Sequence, residues 1–404
     1  MSLDLDFVRS QFPAFTEPSL QGQAFFENAG GSYTCQQVID RLTHYYRATK
    51  VQPYGAYDAS RIAGEQMDAS LQGLARYLGV TADEVHIGPS TSQNTYVLAQ
   101  AFVEGWQPGD EIIVTNQDHE ANGGAWRRLA DRGIVIREWQ VNPETGALCG
   151  NDLSNLLNER TRLVTFPHCS NIVAHINPVK DWCNLIHQAG AMAVVDGVSA
   201  AGHNFPDVGG LGADVYLFSL YKTFGPHQGV MVIRCHAEAH IAPQSHYFNS
   251  QAQSKKYIPA GPDHAQVAAS QGVIDYFDAI YDHYQLTGAK PAAVAQLMAQ
   301  AEKPLLTELL SWLDARNDLR ILGPSDASQR AATVAIVSHK KTPQELAQGL
   351  AKQGIMAGAG HFYAVRLLEA MGVDPATGVL RLSFVHYTSP QELQQLLVAL
   401  DKLL

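Results

Sequence analysis

The chemistry of this chain is read outward from one lysine. Lys222 stands three positions after the apolar run DVYLFS (214–219), in a loop closed by Gly225-Pro226. Alone it is an ordinary solvated loop lysine; beside the right neighbours it is an amine nucleophile. Those neighbours follow other short apolar runs. Ser90-Thr91-Ser92 come after VHI (85–87) and the turn Gly88-Pro89, with a helical pattern starting near Gln93. Asp118 and His119 follow EIIVTN (111–116), and His168 to Asn171 follow RLVTFP (162–167). Asp196 ends AMAVVD (191–196), and Ser219 ends the run before the lysine. Hydroxyls and N–H groups at a helix start form an anion seat for phosphate, although the same residues serve as plain caps. An acid at a strand end suits a ribose, a metal or a protonated ring nitrogen. An amine, an acid, a phosphate seat and a flat imidazole together meet the needs of pyridoxal phosphate.

The elements that must position these groups are legible as an alternation. Seven runs read as strands: VHI, EIIVTN, GIVIREW (133–139), RLVTFP, AMAVVD, DVYLFS and GVMVIR (229–234). They are continuous rather than alternating, as expected where both sheet faces are covered. Helical segments such as 93–104 and 178–189 lie between them, which predicts an α/β domain with a largely parallel sheet. In such a sheet ligands bind beyond the carboxyl ends of the strands, where the polar residues fall. After about residue 265 the pattern changes to helices over 264–283 and 287–315, then a smaller α+β section with strands at 332–338 and 379–385. Thr342-Pro343-Gln344-Glu345 and Ser389-Pro390-Gln391-Glu392 are capping boxes with proline at the first helical position. The last helix sets Leu393, Leu396, Leu397, Leu400, Leu403 and Leu404 on one face.

Composition bounds the rest. The 404 residues are 46% hydrophobic and 17% charged, enough for a large core and too long for a small module. Lys plus Arg is 28 and Asp plus Glu 39, a net charge of −11, which argues against nucleic-acid and anionic-membrane partners. No 18-residue apolar run and no signal peptide are visible. Five scattered cysteines without a C-x-x-C suit a reducing, cytoplasmic setting. His236 and His240 have metal-ligand spacing but lie apart from the strand-end cluster, so no metal is expected. Gly209-Gly210-Leu211-Gly212 and Gly358-Ala359-Gly360 open no helix after a strand and carry no dinucleotide reading.

The stretches FFENAGGSYTCQQVID (25–40), PHCSNIVAHINPV (167–179), AVVDGVSAAGH (193–203) and VYLFSLYKTFGPHQGV (215–230) resemble the class V aminotransferases, specifically their cysteine desulfurase and selenocysteine lyase branch. The resemblance covers nearly the whole chain. It implies a fold-type I pyridoxal phosphate enzyme, with a large domain over 15–285 around a mostly parallel seven-stranded sheet and a small α+β domain from 1–14 and 286–404. It further implies a homodimer. Lys222 would form the Schiff base and shuttle the Cα proton, Asp196 would meet the pyridine nitrogen, and His119 would stack on the ring. Thr91, Ser92, Ser219 and Tyr221 would hold the phosphate, with Asn171 and Ser199 beside the ring oxygen or substrate amine. Arg381, in VLRLSFVHYTS, would take the substrate α-carboxylate through its planar fork. Asn28, His361 and Tyr363 would complete the substrate pocket. His203 matches a family histidine and is as readily structural.

Three departures shape the functional expectation. Gly360-His361-Phe362-Tyr363-Ala364 stands where the desulfurases carry G-H-H-C-A, so a phenol replaces the thiol that holds a persulfide. Ser199 replaces the family glutamine. Ala260-Gly261-Pro262-Asp263-His264 lacks the threonine that reaches a neighbouring subunit's phosphate. Cys169 is expected to be a small buried residue. The expectation is a C–S or β-elimination lyase on an L-amino acid, with aminotransferase or epimerase as the alternative and a non-catalytic cofactor-binding scaffold as the alternative of another class. Reading Ser219-Leu220-Tyr221-Lys222 as an acyl-enzyme S-x-x-K lacks its companion motifs.

Overall fold

The computed structural model describes residues 3–253 and 255–404. Its seven expected strands form one sheet in the order Val85–Gly88, Gly229–Ile233, Val215–Ser219, Met192–Asp196, Thr161–Pro167, Glu111–Thr115 and Val135–Trp139. Gly229–Ile233 alone runs against the direction of the other six. Four of the seven are buried at every position, the physical basis of their unbroken apolar runs. Helices cover both faces, so the ends of the parallel strands open on one edge. Among the described residues no helix is long and apolar enough to cross a membrane.

A second, antiparallel sheet runs Gly358–Gly360, Val379–Ser383, Thr333–Ser338 and Leu319–Leu322. Helices Lys290–Asp314, Pro343–Ala351 and Pro390–Leu403 bury their leucines against it in a separate core. Both capping boxes form: Thr342 and Ser389 accept from the third helical N–H, while Glu345 and Glu392 reach back to the cap. The early pair Ala24–Phe25 joins this part of the molecule, running parallel to Ile355–Met356, and Glu27 bridges to Ser383. The helix read over 264–283 is two, His264–Ala269 and Gln271–His283. Ser70 from the packed helix Asp58–Leu78 causes the break. Its hydroxyl accepts from Gln271 N at 3.0 Å and donates to Ala268 O at 3.0 Å, entering the helical ladder. Helix Asp58–Leu78 itself precedes the alternation read from the sequence.

Candidate active site

Loops leaving the carboxyl edge of the large sheet converge on one cavity. Every residue expected around the cofactor lines it: Thr91, Ser92, His119, Asn171, Asp196, Ser199, Ser219, Tyr221 and Lys222. Lys222 ends a tight turn, Leu220–Lys222, that the rest of the chain pins in place. Ser32 N donates to Tyr221 O at 3.0 Å, Thr223 Oγ1 donates to Leu220 O at 3.1 Å, and Gly202 has no room for a side chain against Lys222 O. Burial pushes the Lys222 ammonium down to about 8, the Arg381 charge adds to this, and Asp196 opposes it.

Two acids lie under the same edge. Asp196 Oδ1 accepts from Val198 N at 2.9 Å, yet burial raises its carboxyl to about 6. Asp118 is raised further, to about 7, by burial and by the Asp196 charge, against hydrogen bonds from Asn122 and Thr115. The sequence placed Asp118 beside His119 but assigned it no task. His168 Nδ1 pairs with Tyr216 OH at 2.8 Å, a contact between strand ends that no local pattern announces.

His119 caps helix Glu120–Arg127, its Nδ1 accepting from Ala121 N at 3.0 Å. That bond leaves the ring proton on Nε2. Burial and the Lys222 and Arg381 charges hold the ring down to about 3, so the imidazole is neutral. The anion seat is the start of helix Thr91–Val103, where Ser90 Oγ accepts from Gln93 N at 3.2 Å. Thr91 is buried with its hydroxyl 2.7 Å from Ser219 Oγ, while Ser92 is exposed. Ser219 therefore faces Thr91, an arrangement that gives the S-x-x-K reading no support.

Arg381 and the loop before it close the other side. Arg381 is 3% exposed on strand Val379–Ser383. Its Nη2 donates to Glu27 Oε1 at 2.8 Å, its Nη1 to Asn171 O at 3.4 Å, and the Phe362 ring lies 3.8 Å from the guanidinium carbon. Asn171 Nδ2 donates to Phe362 O at 2.9 Å, leaving its buried Oδ1 without a partner. Asn28 also borders Lys222, but its Nδ2 donates to Ser383 O at 3.2 Å and its Oδ1 accepts from Tyr387 OH. His361 Nδ1 accepts from Tyr363 N at 3.0 Å. Tyr363 is 65% exposed, its ring 5.2 Å from His119, and Phe362 and Tyr363 have φ of 47° and 58°. Glu27 and Phe362 went unremarked in the sequence because an interaction between positions 27, 362 and 381 leaves no local signature. His203 pairs with Glu302 at 2.7 Å and lines the small cavity that Asn28 and Lys222 share. Cys169 reaches the cavity wall with its thiol donating to Ala174 O, and burial raises it to about 12.

The family model described as Aminotransferase class-V matches residues 24–396. An aminotransferase-like protein of Gibberella zeae is 33% identical over 100% of this chain and 99% of its own. A probable cysteine desulfurase of Vibrio cholerae is 27% identical, over 100% and 99% respectively. The cysteine desulfurase structure from Thermococcus onnurineus superposes with a TM-score of 0.88 at 23% identity, covering 100% of this chain and 98% of that one. The fold is that of the fold-type I enzymes. The chain belongs to the class V aminotransferase family, in its cysteine desulfurase-like part, and is a pyridoxal phosphate-dependent enzyme. The cavity fits that cofactor: it offers a buried amine held below its ordinary range, a buried acid, a helix start with hydroxyls, and an orphaned amide oxygen.

Proposed function

We propose that this enzyme removes the Cα proton of an L-amino acid and completes a C–S or other β-elimination, in the manner of a cysteine desulfurase but without a persulfide cysteine. Bound pyridoxal phosphate supplies an electron-withdrawing ring that stabilises negative charge at the substrate Cα. The chain's own residues do the rest. Lys222 holds the cofactor aldehyde and, as a neutral amine, takes the Cα proton on Nζ. Asp196 would meet the pyridine nitrogen, neutral His119 would cover the ring, and Thr91, Ser92, Ser219 and Tyr221 would hold the phosphate. Asn171 and Ser199 would sit beside the ring oxygen or the amine, and Arg381 would take the α-carboxylate. Asn28 and His361 border the substrate. The observation that carries the reading is Tyr363: exposed at the cavity mouth beside His119, it supplies a phenol where sulfur transfer needs a thiol. Cys169, the cysteine of the cavity wall, is held as an unreactive thiol.

The fold-type I architecture and the exposed Tyr54, Tyr57, Tyr247 and Phe248 support a homodimer. The five free cysteines support a cytoplasmic location.

Absorption spectra of the purified protein, with product analysis, test the reaction. The expected outcome is a visible cofactor band that Lys222→Ala abolishes and that an amino acid perturbs, with a 2-oxo acid and ammonia released. Alanine formed from cysteine with sulfur retained on the protein would overturn the persulfide-free reading. Amine exchange with a keto acid would assign a transaminase, a D-amino acid product an epimerase, and an unreactive bound cofactor a scaffold.

A further inference from the structure

We propose that Glu27 determines specificity by excluding amino acids with an acidic side chain. This rests on the reading above that Arg381 receives the substrate α-carboxylate. Glu27 lies in a built seat. A Cβ on Gly358 would fall 2.1 Å from Glu27 Oε2, and one on Gly30 would fall 2.8 Å from Oε1. Neither glycine has a positive φ, so what each supplies is room for this carboxylate rather than a turn. Gly358 is also the residue paired with Arg381 across the sheet, which sets the two charges side by side.

The contact falls on the nitrogen that matters for carboxylate recognition. Glu27 Oε1 accepts from Arg381 Nη2, which belongs to both bidentate edges of a guanidinium. An incoming carboxylate seated on either edge meets Glu27 across that nitrogen. Arg381 Nε is buried without a partner and remains available to it, as does Nη1 beyond its long contact with Asn171 O. Glu27 Oε2 is likewise buried and unpartnered, beside Gly358.

Charge then decides which substrates are accepted. Arg381 and Glu27 together are neutral, and Lys222, holding the cofactor or acting as a neutral amine, adds no free cation. One substrate carboxylate is balanced by the substrate's own ammonium. A second carboxylate finds no balancing cation beside the Arg381–Glu27 pair and is disfavoured by the Glu27 charge. A neutral side chain carries no such penalty.

The test is spectral titration of the holoenzyme with L-alanine and L-aspartate, comparing wild type, Glu27→Gln and Glu27→Asp. Wild type is expected to bind alanine more tightly than aspartate by about ten-fold or more, and Glu27→Gln to remove about ten-fold of that preference. Glu27→Asp, which keeps the charge, retains it. Equal binding by wild type, an unchanged preference in Glu27→Gln, or loss of preference in both variants would overturn the proposal. Calorimetric titration with propionate and succinate reads the Arg381–Glu27 pair without amine chemistry. Discrimination there that Glu27→Gln abolishes, with amino acids leaving the cofactor band untouched, sustains the Glu27 assignment while the amino-acid reading fails. Turnover of acidic and neutral amino acids alike does the reverse.

Discussion

At the scale of single residues, the site sets protonation states by burial and by neighbouring charge. Lys222 is a cation where cations are disfavoured, and its amine is held near 8 chiefly by desolvation. His119 is neutral because burial and two nearby cations forbid a third charge. Protonation controls the proposed first task of Lys222, since only the unprotonated Nζ attacks the cofactor aldehyde. Capture of pyridoxal phosphate by the cofactor-free protein is therefore expected to accelerate as pH rises through about 8, followed by stopped-flow absorbance. An ordinary exposed lysine would place that midpoint above pH 10. Arg381→Ala, which removes a like charge that holds Lys222 down, is expected to move the midpoint upward.

At the scale of elements, the phosphate seat depends on how closely helix Thr91–Val103 approaches strand Gly229–Ile233. A Cβ on Gly229 would lie 2.4 Å from Ser90 C and 2.5 Å from Thr91 N, so only glycine lets the helix start come this near. Asn94 secures the approach by donating from Nδ2 to Gly229 O at 3.0 Å. Gly229→Ala must push the first helical turn off the sheet, parting Thr91 from Ser219. The expected result is loss of cofactor affinity by about ten-fold or more with the fold retained, measured by equilibrium dialysis and circular dichroism. The small sheet acts similarly at its own site, because the register that pairs Gly358 with Arg381 also admits Glu27.

At the scale of the whole molecule, the core encloses several ionisable groups that respond to acid together. His86, His119, His168 and His386 are held neutral by burial, at about 4, 3, 4 and 3. Their folded values lie below the unfolded one, so the unfolded chain binds more protons and stability drains away as pH falls from about 6.5 toward 4. Asp118 and Asp196, raised to about 7 and 6, act in the opposite sense over part of that window. Four histidines against two acids leave the cofactor-free protein expected to be less stable at pH 5 than at pH 7 in urea titrations. Both ring nitrogens of His86 are buried without partners. His86→Phe is expected to gain about 1 kcal/mol at pH 7, where the unmet polar atoms are removed, and to make the pH dependence shallower.

The sequence by itself determined what depends on neighbours along the chain. Seven strands wrote themselves as short, largely apolar runs, and both capping boxes were visible because each closes within four residues. The strand-end residues were legible too, since a sheet wound with helices on both faces brings its carboxyl ends to one edge. The cofactor cavity holds nine of the residues expected around it for that reason. What only the tertiary structure decided are contacts between distant positions. Ser70 breaks a helix nearly 200 positions away, and Glu27 meets Arg381 across 354 positions while Phe362 covers its face. Those pairings follow from helix packed on helix, from the bridge that sets Glu27 beside strand Val379–Ser383, and from space that two glycines leave open, and periodicity along a chain carries no trace of them.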